Sequence, residues 1–281
     1  MSATMRTLDH PAERLTFDGL DIAWDRRVLR PRPWTSEQGR WAAELARSAP
    51  PGPILELCCG AGQIGIVAAK NSGRSLVQID RDPVAAAYAR RNAAAAGVES
   101  EVRCGPIRDM LEPGEEFGVV IADPPWLRTD QLAAFPEDPP GAVDGGLDGL
   151  AVVVACLEVG LAHLALRGHL LLQVGDTEQM ATAVEYISRL APRRTVSGVR
   201  DCRPGGVLMN IGPSAGATDE PDDEGPAPEG QVSEVSSLEG AGEPISPGDA
   251  VAGHPEDDDV QEGATGPDAR TGNQDTDKDP Q

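Results

Sequence analysis

Aromatic side chains are scarce in this chain of 281 residues, which has three Phe, four Trp and two Tyr, and the stretch from Pro213 to Gln281 contains none. That stretch is also nearly devoid of bases, with nineteen acidic residues against Arg270 and Lys278. Rich in Pro, Gly, Ser and carboxylates, it cannot bury enough apolar surface to offset the entropy of ordering, so 213–281 is expected to be a disordered acidic tail. The core must then lie within the first 212 residues. Cysteines are few and odd in number, at 58, 59, 104, 156 and 202, with no paired metal-ligand spacing. This excludes a disulfide framework, predicts no metal site and suits a reducing cytoplasm. There is no charged start leading into an apolar stretch. The most apolar region, Leu150 to Leu172, is interrupted by Glu158, His163, Arg167 and His169, so neither a signal peptide nor a membrane span is expected.

Charge of one sign dominates. The formal net charge is −22, most of it in the tail, which leaves the body near −5. Long-range repulsion from phosphate backbones disfavours a nucleic-acid partner without excluding one. Arg26, Arg27, Arg30 and Arg32 form the one basic cluster, read either as a local phosphate-binding patch or as a solvated hairpin edge.

Within the body, strand-like and helix-like segments alternate. The residues Leu20 to Leu29 read as a hairpin turning near Asp25-Arg26-Arg27. Thr35 and Gln38 have the spacing of a capping box for a helix reaching Ala46. Ile54 to Leu57 and Leu76 to Ile79 are short apolar runs of the kind found in buried parallel strands, with a helix from Gln63 to Asn71 between them. Asp82 and Pro83 open a further helix that Gly97 stops. Strands are expected at Val98 to Cys104, Val119 to Ala122 and His169 to Val174, and helices at Leu150 to Leu166 and Thr177 to Leu190. Thr195 to Arg200 and Val207 to Ile211 should form a terminal antiparallel hairpin around Arg203-Pro204-Gly205-Gly206. The alternation implies an α/β, doubly wound, mostly parallel sheet. Three regions follow: a leading segment 1–34 with a short hairpin, a domain at 35–212, and the tail 213–281.

Two motifs carry chemistry. Cys58-Cys59-Gly60-Ala61-Gly62 follows the strand Ile54 to Leu57 and precedes a helix, and glycines there let backbone approach a ligand closely. Gly60 to Gly65 also satisfies G-x-G-x-x-G, so a nicotinamide dinucleotide stands as one reading. Asp80, ending the next strand, can hold a ribose in either case. Glu56 would repel a pyrophosphate but tolerate a cofactor with a cationic amino-acid end, which favours S-adenosylmethionine. No His, Lys or Tyr constellation for carbonyl reduction stands out. The second motif, Asp123-Pro124-Pro125-Trp126, leaves the run Val119 to Ala122. Its carboxylate and the Pro124 carbonyl can accept two N–H groups while Trp126 lies on a flat face, which makes a rigid receptor for a planar amino group. Such a receptor catalyses by orientation.

Together these segments resemble class I S-adenosylmethionine-dependent methyltransferases, and most of all the HemK-type protein-(glutamine-N5) methyltransferases that modify translation release factors. Val28 to Thr35 is similar to that family's V-L-I-P-R-P-E-T. Ile54 to Ile64 resembles L-D-L-G-T-G-S-G-x-I, and Asp123 to Trp126 stands at N-P-P-Y. Val143 to Leu150 resembles L-D-G-G-x-D-G-L, and Arg167 to Gln179 resembles G-G-x-L-L-L-E-x-G-x-x-Q. The resemblance implies a seven-stranded Rossmann-like sheet. It implies a cofactor held by Glu56, Cys58, Gly60, Gly62 and Asp80, bordered by Asp123, and an acceptor nitrogen oriented by Asp123, Pro124, Pro125 and Trp126. Cys58 replaces the loop's first glycine, Pro106 stands where an acid commonly meets the adenine with Asp109 as substitute, and Asp123 and Trp126 replace Asn and Tyr. The resemblance covers about Asp18 to Gly212, so the family's helical N-terminal domain is expected to be missing. The expected activity is N-methylation of a planar amino or amide nitrogen, with a protein glutamine leading. A nucleic-acid base, a small-molecule amine and a catalytically silent cofactor-binding module are the alternatives. Oligomeric state is not legible in the sequence.

Overall fold

The computed structural model describes residues 11–202 and 205–214. The acidic segment from Ala215 onward, and Arg203 and Pro204 of the expected terminal turn, lie outside the described residues.

A hairpin of β1 (Glu13–Phe17) and β2 (Leu20–Trp24) comes first. It turns at Asp18-Gly19, both at positive φ (49° and 79°), the conformation an Asp-Gly pair favours because it matches strand twist. The hairpin therefore lies earlier than Leu20 to Leu29, and Asp25-Arg26-Arg27 is not its turn. Asp25 is buried and accepts hydrogen bonds from Arg27 and from the Tyr88 hydroxyl. Despite burial, these bonds hold its pKa down at about 2. The basic cluster is largely engaged within the chain: Arg32 pairs with Asp138, and Arg30 lies over the Trp24 ring.

The body continues with α1 (Ser36–Leu45), β3 (Ile54–Leu57), α2 (Gln63–Ser72), β4 (Leu76–Asp80), α3 (Pro83–Ala96) and β5 (Ser100–Cys104). After these come β6 (Phe117–Ala122), the single turn α4 (Pro140–Val143), α5 (Ala151–Ala162), β7 (Leu164–Val174), α6 (Thr177–Leu190), β8 (Arg194–Asp201) and β9 (Val207–Pro213). Seven strands form one sheet in the order β5-β4-β3-β6-β7-β9-β8, and only β9 runs against its neighbours. All four residues of β3 and all six of β6 are buried, because helices cover both faces of the sheet. One apolar cluster joins α1, α2 and α3 to one face, and a second joins α5 and α6 to the other.

Local chemistry explains most boundaries. The Asp82 side chain accepts the Val84 N–H, Pro83 opens α3, and Gly97 closes it at φ 68°. The capping box expected at Thr35 and Gln38 does not form. Thr35 Oγ1 donates to the Arg32 carbonyl within a 3-10 turn, and Gln38 is drawn into the core. The helix expected to reach Leu166 ends at Ala162, where β7 begins early to pair Leu164 with Phe117.

Candidate active site

The sheet fixes where chemistry can occur. Chain order runs outward from β3 through β4 to β5, then returns to β6 on the other side of β3, so the crevice beyond the ends of β3 and β6 is the topological switch point. The Cys58 to Gly62 loop leaves β3, Asp80 ends β4, and Asp123 to Trp126 leaves β6. Both motifs read from the sequence therefore meet at one edge.

The loop turns through positive φ at Cys58 (58°), Gly60 (54°) and Gly62 (84°). At Gly62 a Cβ would lie 2.7 Å from the Gln78 side-chain nitrogen, whereas at Gly60 it would meet nothing within 4 Å, so the loop is open in front and packed behind. Cys58 holds a left-handed conformation that glycine adopts far more readily. The Asp80 carboxylate accepts the Gly60 N–H at 2.8 Å and the Asp82 N–H at 2.9 Å. Burial raises its pKa, and these backbone bonds partly offset the rise.

Glu56 has partners of its own within the chain. It is 2 % exposed, and its carboxylate accepts the Gly65 N–H at 3.0 Å and the Gln78 side-chain N–H at 2.6 Å. These bonds tie β3 to the first turn of α2 behind the loop. Desolvation pushes its pKa up to about 8, against the pull of both bonds. The third glycine of G-x-G-x-x-G is thereby explained, since a Cβ at Gly65 would collide with the Glu56 carboxylate. Gly65→Ala is expected to cost about 1–3 kcal/mol of stability, as forced overpacking does. A shift of the denaturant midpoint would measure it, and an unchanged midpoint would show that the carboxylate moves aside freely.

Asp109 is exposed on a one-turn 3-10 helix after β5.

At the β6 exit lies a cavity of about 310 Å³ lined by Asp123, Pro124, Pro125 and Trp126 together with Leu29, Arg32, Trp34, Phe135 and Asp138. Asp123 is half-buried, yet its carboxylate accepts no hydrogen bond from any described residue. Burial alone raises its pKa to about 7. A half-buried carboxylate with no hydrogen-bond partner among the described residues, in an aromatic-walled cavity, is poised to accept N–H groups from a ligand. Gln179 positions Trp126: its amide donates to the Trp126 carbonyl at 2.9 Å and accepts the Gly175 N–H at 2.8 Å. A Cβ at Gly175 would lie 2.5 Å from the indole ring.

Three supporting residues were not legible as such. Gln38, fully buried on α1, donates to the carbonyls of Ala122 and Leu171 and so fixes the strand ends beneath Asp123. Asn92 donates to the carbonyls of Ala23 and Ala61 and accepts the Ala23 N–H, which couples the first hairpin to the glycine loop. Gln78 joins Glu56, Gly62 and Ser100. Each is an amide with several partners, and only the fold brings those partners together. Among the described residues no cluster of His, Cys, Asp and Glu could hold a metal ion, and no helix is long and apolar enough to cross a membrane.

Residues 54–137 match the family model described as a methyltransferase domain. Sheet order and the matched domain, with relatives named as methyltransferases, give the class, an S-adenosylmethionine-dependent methyltransferase. Among proteins of known name, the chain is 29% identical over 195 residues to the release factor glutamine methyltransferase of Thermodesulfovibrio yellowstonii, covering 66% of this chain and 68% of that one. It is 33% identical to the release factor glutamine methyltransferase of Cereibacter sphaeroides (61% and 62% covered). With the ribosomal protein uL3 glutamine methyltransferase of Bradyrhizobium diazoefficiens it shares 27% identity (63% and 60% covered). The chain thus spans between 60% and 68% of the length of these three relatives. The hMettl16 catalytic domain, solved with an RNA hairpin, shares the fold at TM-score 0.55 and 15% identity, covering 70% of this chain and 75% of that one.

Proposed function

We propose that this chain transfers a methyl group from S-adenosylmethionine to a planar nitrogen, the side-chain amide of a glutamine in a protein. The observation that carries this reading is Asp123, a raised-pKa carboxylate without a hydrogen-bond partner among the described residues, in an aromatic cavity at the strand exit next to that of the glycine loop. The names of its relatives point to a protein glutamine as acceptor.

The residues present fit the cofactor. Gly60 faces open space, Gly62 and Cys58 shape the loop, and both Asp80 oxygens keep acceptor capacity beyond their backbone bonds. In this reading Asp80 accepts the two ribose hydroxyls. Glu56 acts at one remove, by holding α2 against β3. When bound, the cofactor supplies an electrophilic methyl on a sulfonium.

Asp123 accepts one acceptor N–H and the Pro124 carbonyl a second, so the nitrogen lone pair is held toward the methyl. Trp126 lies on the plane of the amide. As the new N–C bond forms, positive charge develops on nitrogen, and the Asp123 carboxylate stabilises it in a site of low dielectric. The surplus proton leaves to Asp123, whose pKa of about 7 suits a proton acceptor near neutrality.

A second reading rests on the walls. Trp34, Trp126 and Phe135 all line the cavity, and aromatic faces stack on a nucleobase as readily as on an amide. Incubation of a cell extract with the purified chain and radiolabelled S-adenosylmethionine, followed by separation of protein, RNA and metabolites, distinguishes the two. Label in protein, recovered as methylglutamine after enzymatic digestion, is the expected result. Label in RNA would replace the glutamine reading by the nucleobase one, and cofactor binding without any transfer would indicate a silent module.

A further inference from the structure

The sulfur atoms of Cys58 and Cys156 lie 3.8 Å apart, although the residues are 98 positions apart in sequence. Cys58 opens the glycine loop with φ at 58°, and Cys156 sits fully buried on α5, packed in the apolar cluster that also holds Leu57 and Leu157. The proposed transfer uses neither sulfur atom. A thiol pair in van der Waals contact, with one member on a ligand-binding loop and the other on a fixed helix, needs only a short displacement to become covalent. We propose that Cys58 and Cys156 form an oxidisable dithiol whose disulfide distorts the glycine loop and releases the cofactor, an inference that rests on the proposed function for its second half.

The chemistry balances with a hydroperoxide as oxidant. The half-buried Cys58 sulfur attacks the terminal peroxide oxygen, the O–O bond breaks, and a sulfenic acid and an alcohol, or water from hydrogen peroxide itself, are formed. The Cys156 sulfur then attacks the Cys58 sulfur. The S–S bond forms as the S–O bond breaks, and hydroxide leaves with the Cys156 proton as water. Two thiols are oxidised and one peroxide is reduced.

Geometry decides what the bond does. Disulfide sulfurs are about 2.05 Å apart, so the pair must close by about 1.8 Å. Cys156 is held by a helix in a packed core, so the movement falls on Cys58 and the loop. Two residues further on, the Gly60 N–H is bonded to Asp80, the acid assigned to the ribose. A displacement of this size at the loop's first residue is larger than a hydrogen bond tolerates. The raised pKa of Cys58, caused first by its hydrogen bond with Cys156 and then by burial, keeps the thiol protonated and makes oxidation slow.

Treatment of the reduced full chain with hydrogen peroxide, followed by peptide mapping and titration with S-adenosylmethionine, tests both halves. The expected result is a cross-link between the peptides carrying Cys58 and Cys156, a loss of two free thiols, and cofactor affinity at least tenfold weaker, restored by dithiothreitol. Cys156→Ser should bind cofactor as the parent does and keep its affinity in peroxide. Cys156→Ala serves if the serine variant fails to fold. No cross-link in the folded chain, a cross-link with unchanged affinity, or equal loss in the Cys156 variants would each overturn the proposal. If the reduced parent binds no S-adenosylmethionine, the functional reading and the release of cofactor fall together, while the cross-link still decides whether the dithiol exists.

Discussion

Asp123→Ala is expected to lower methyl transfer by about 100-fold or more, the usual consequence of removing one positioned group that acts on charge developing in the transition state. Affinity for S-adenosylmethionine should change little, because the carboxylate is assigned to the acceptor. Asp123→Asn separates orientation from charge: Asn places one carbonyl oxygen where the carboxylate was, so an amine can still be oriented, but positive charge on nitrogen is no longer offset. If orientation dominates, the Asn variant keeps turnover within about tenfold of the parent.

The pH profile adds an independent readout. Burial raises Asp123 to about 7, so in the parent the ionised form is lost as pH falls through that value, and the rate falls with it. The Asn variant has no such limb. Stability moves the other way. A carboxyl whose folded pKa is raised stabilises least when ionised, so the parent loses stability between about pH 4 and 7, and Asp123→Asn should be the more stable protein above pH 7. Full activity in Asp123→Ala, or a parent profile flat through pH 7, would return the motif to being a strand end.

The second large effect is expected at Asp80. Its replacement by Ala removes the proposed acceptor of two ribose hydroxyls and also frees the Gly60 and Asp82 N–H groups that the carboxylate now holds. A loss of about 1.5–3 kcal/mol in S-adenosylmethionine binding is expected, or roughly 10- to 150-fold in Kd. Calorimetric titration measures it. The neighbouring Asp82→Ala is the control. It should cost about 1 kcal/mol of stability through the lost α3 cap, with cofactor affinity nearly intact. Unchanged affinity in Asp80→Ala, or equal losses in both variants, would detach Asp80 from the ribose.

What could be read from the chain followed local physics. β3 and β4 were legible because strands covered on both faces read as short, mostly apolar runs, and α3 because Asp82, Pro83 and Gly97 mark its ends by mechanisms that act within a few residues. The same locality misled elsewhere. Thr35 and Gln38 have capping-box spacing, but Gln38 finds two strand carbonyls across the core, and that long-range demand prevails. Asp18-Gly19 is a strong turn signal that the charged Asp25-Arg26-Arg27 stretch obscured. At the site, the loop, Asp80 and the Asp123 tetrapeptide were visible as motifs. The true engagement of Glu56 was not, because it depends on Gly65 and Gln78 approaching from two other elements.

Leu57 and Ala122 are register partners on adjacent parallel strands, so the glycine loop and the acceptor tetrapeptide start level with each other, about 4.8 Å apart. In the proposed reaction the backbone ladder itself is the gauge between methyl donor and methyl acceptor. No hinge has to swing to bring the halves together, and the spacing survives any change in the length of the outer loops. A variant that slips β6 by one residue against β3 would ruin alignment with every reacting side chain still present, whereas an insertion between α4 and α5 should be felt only in how the acceptor arrives.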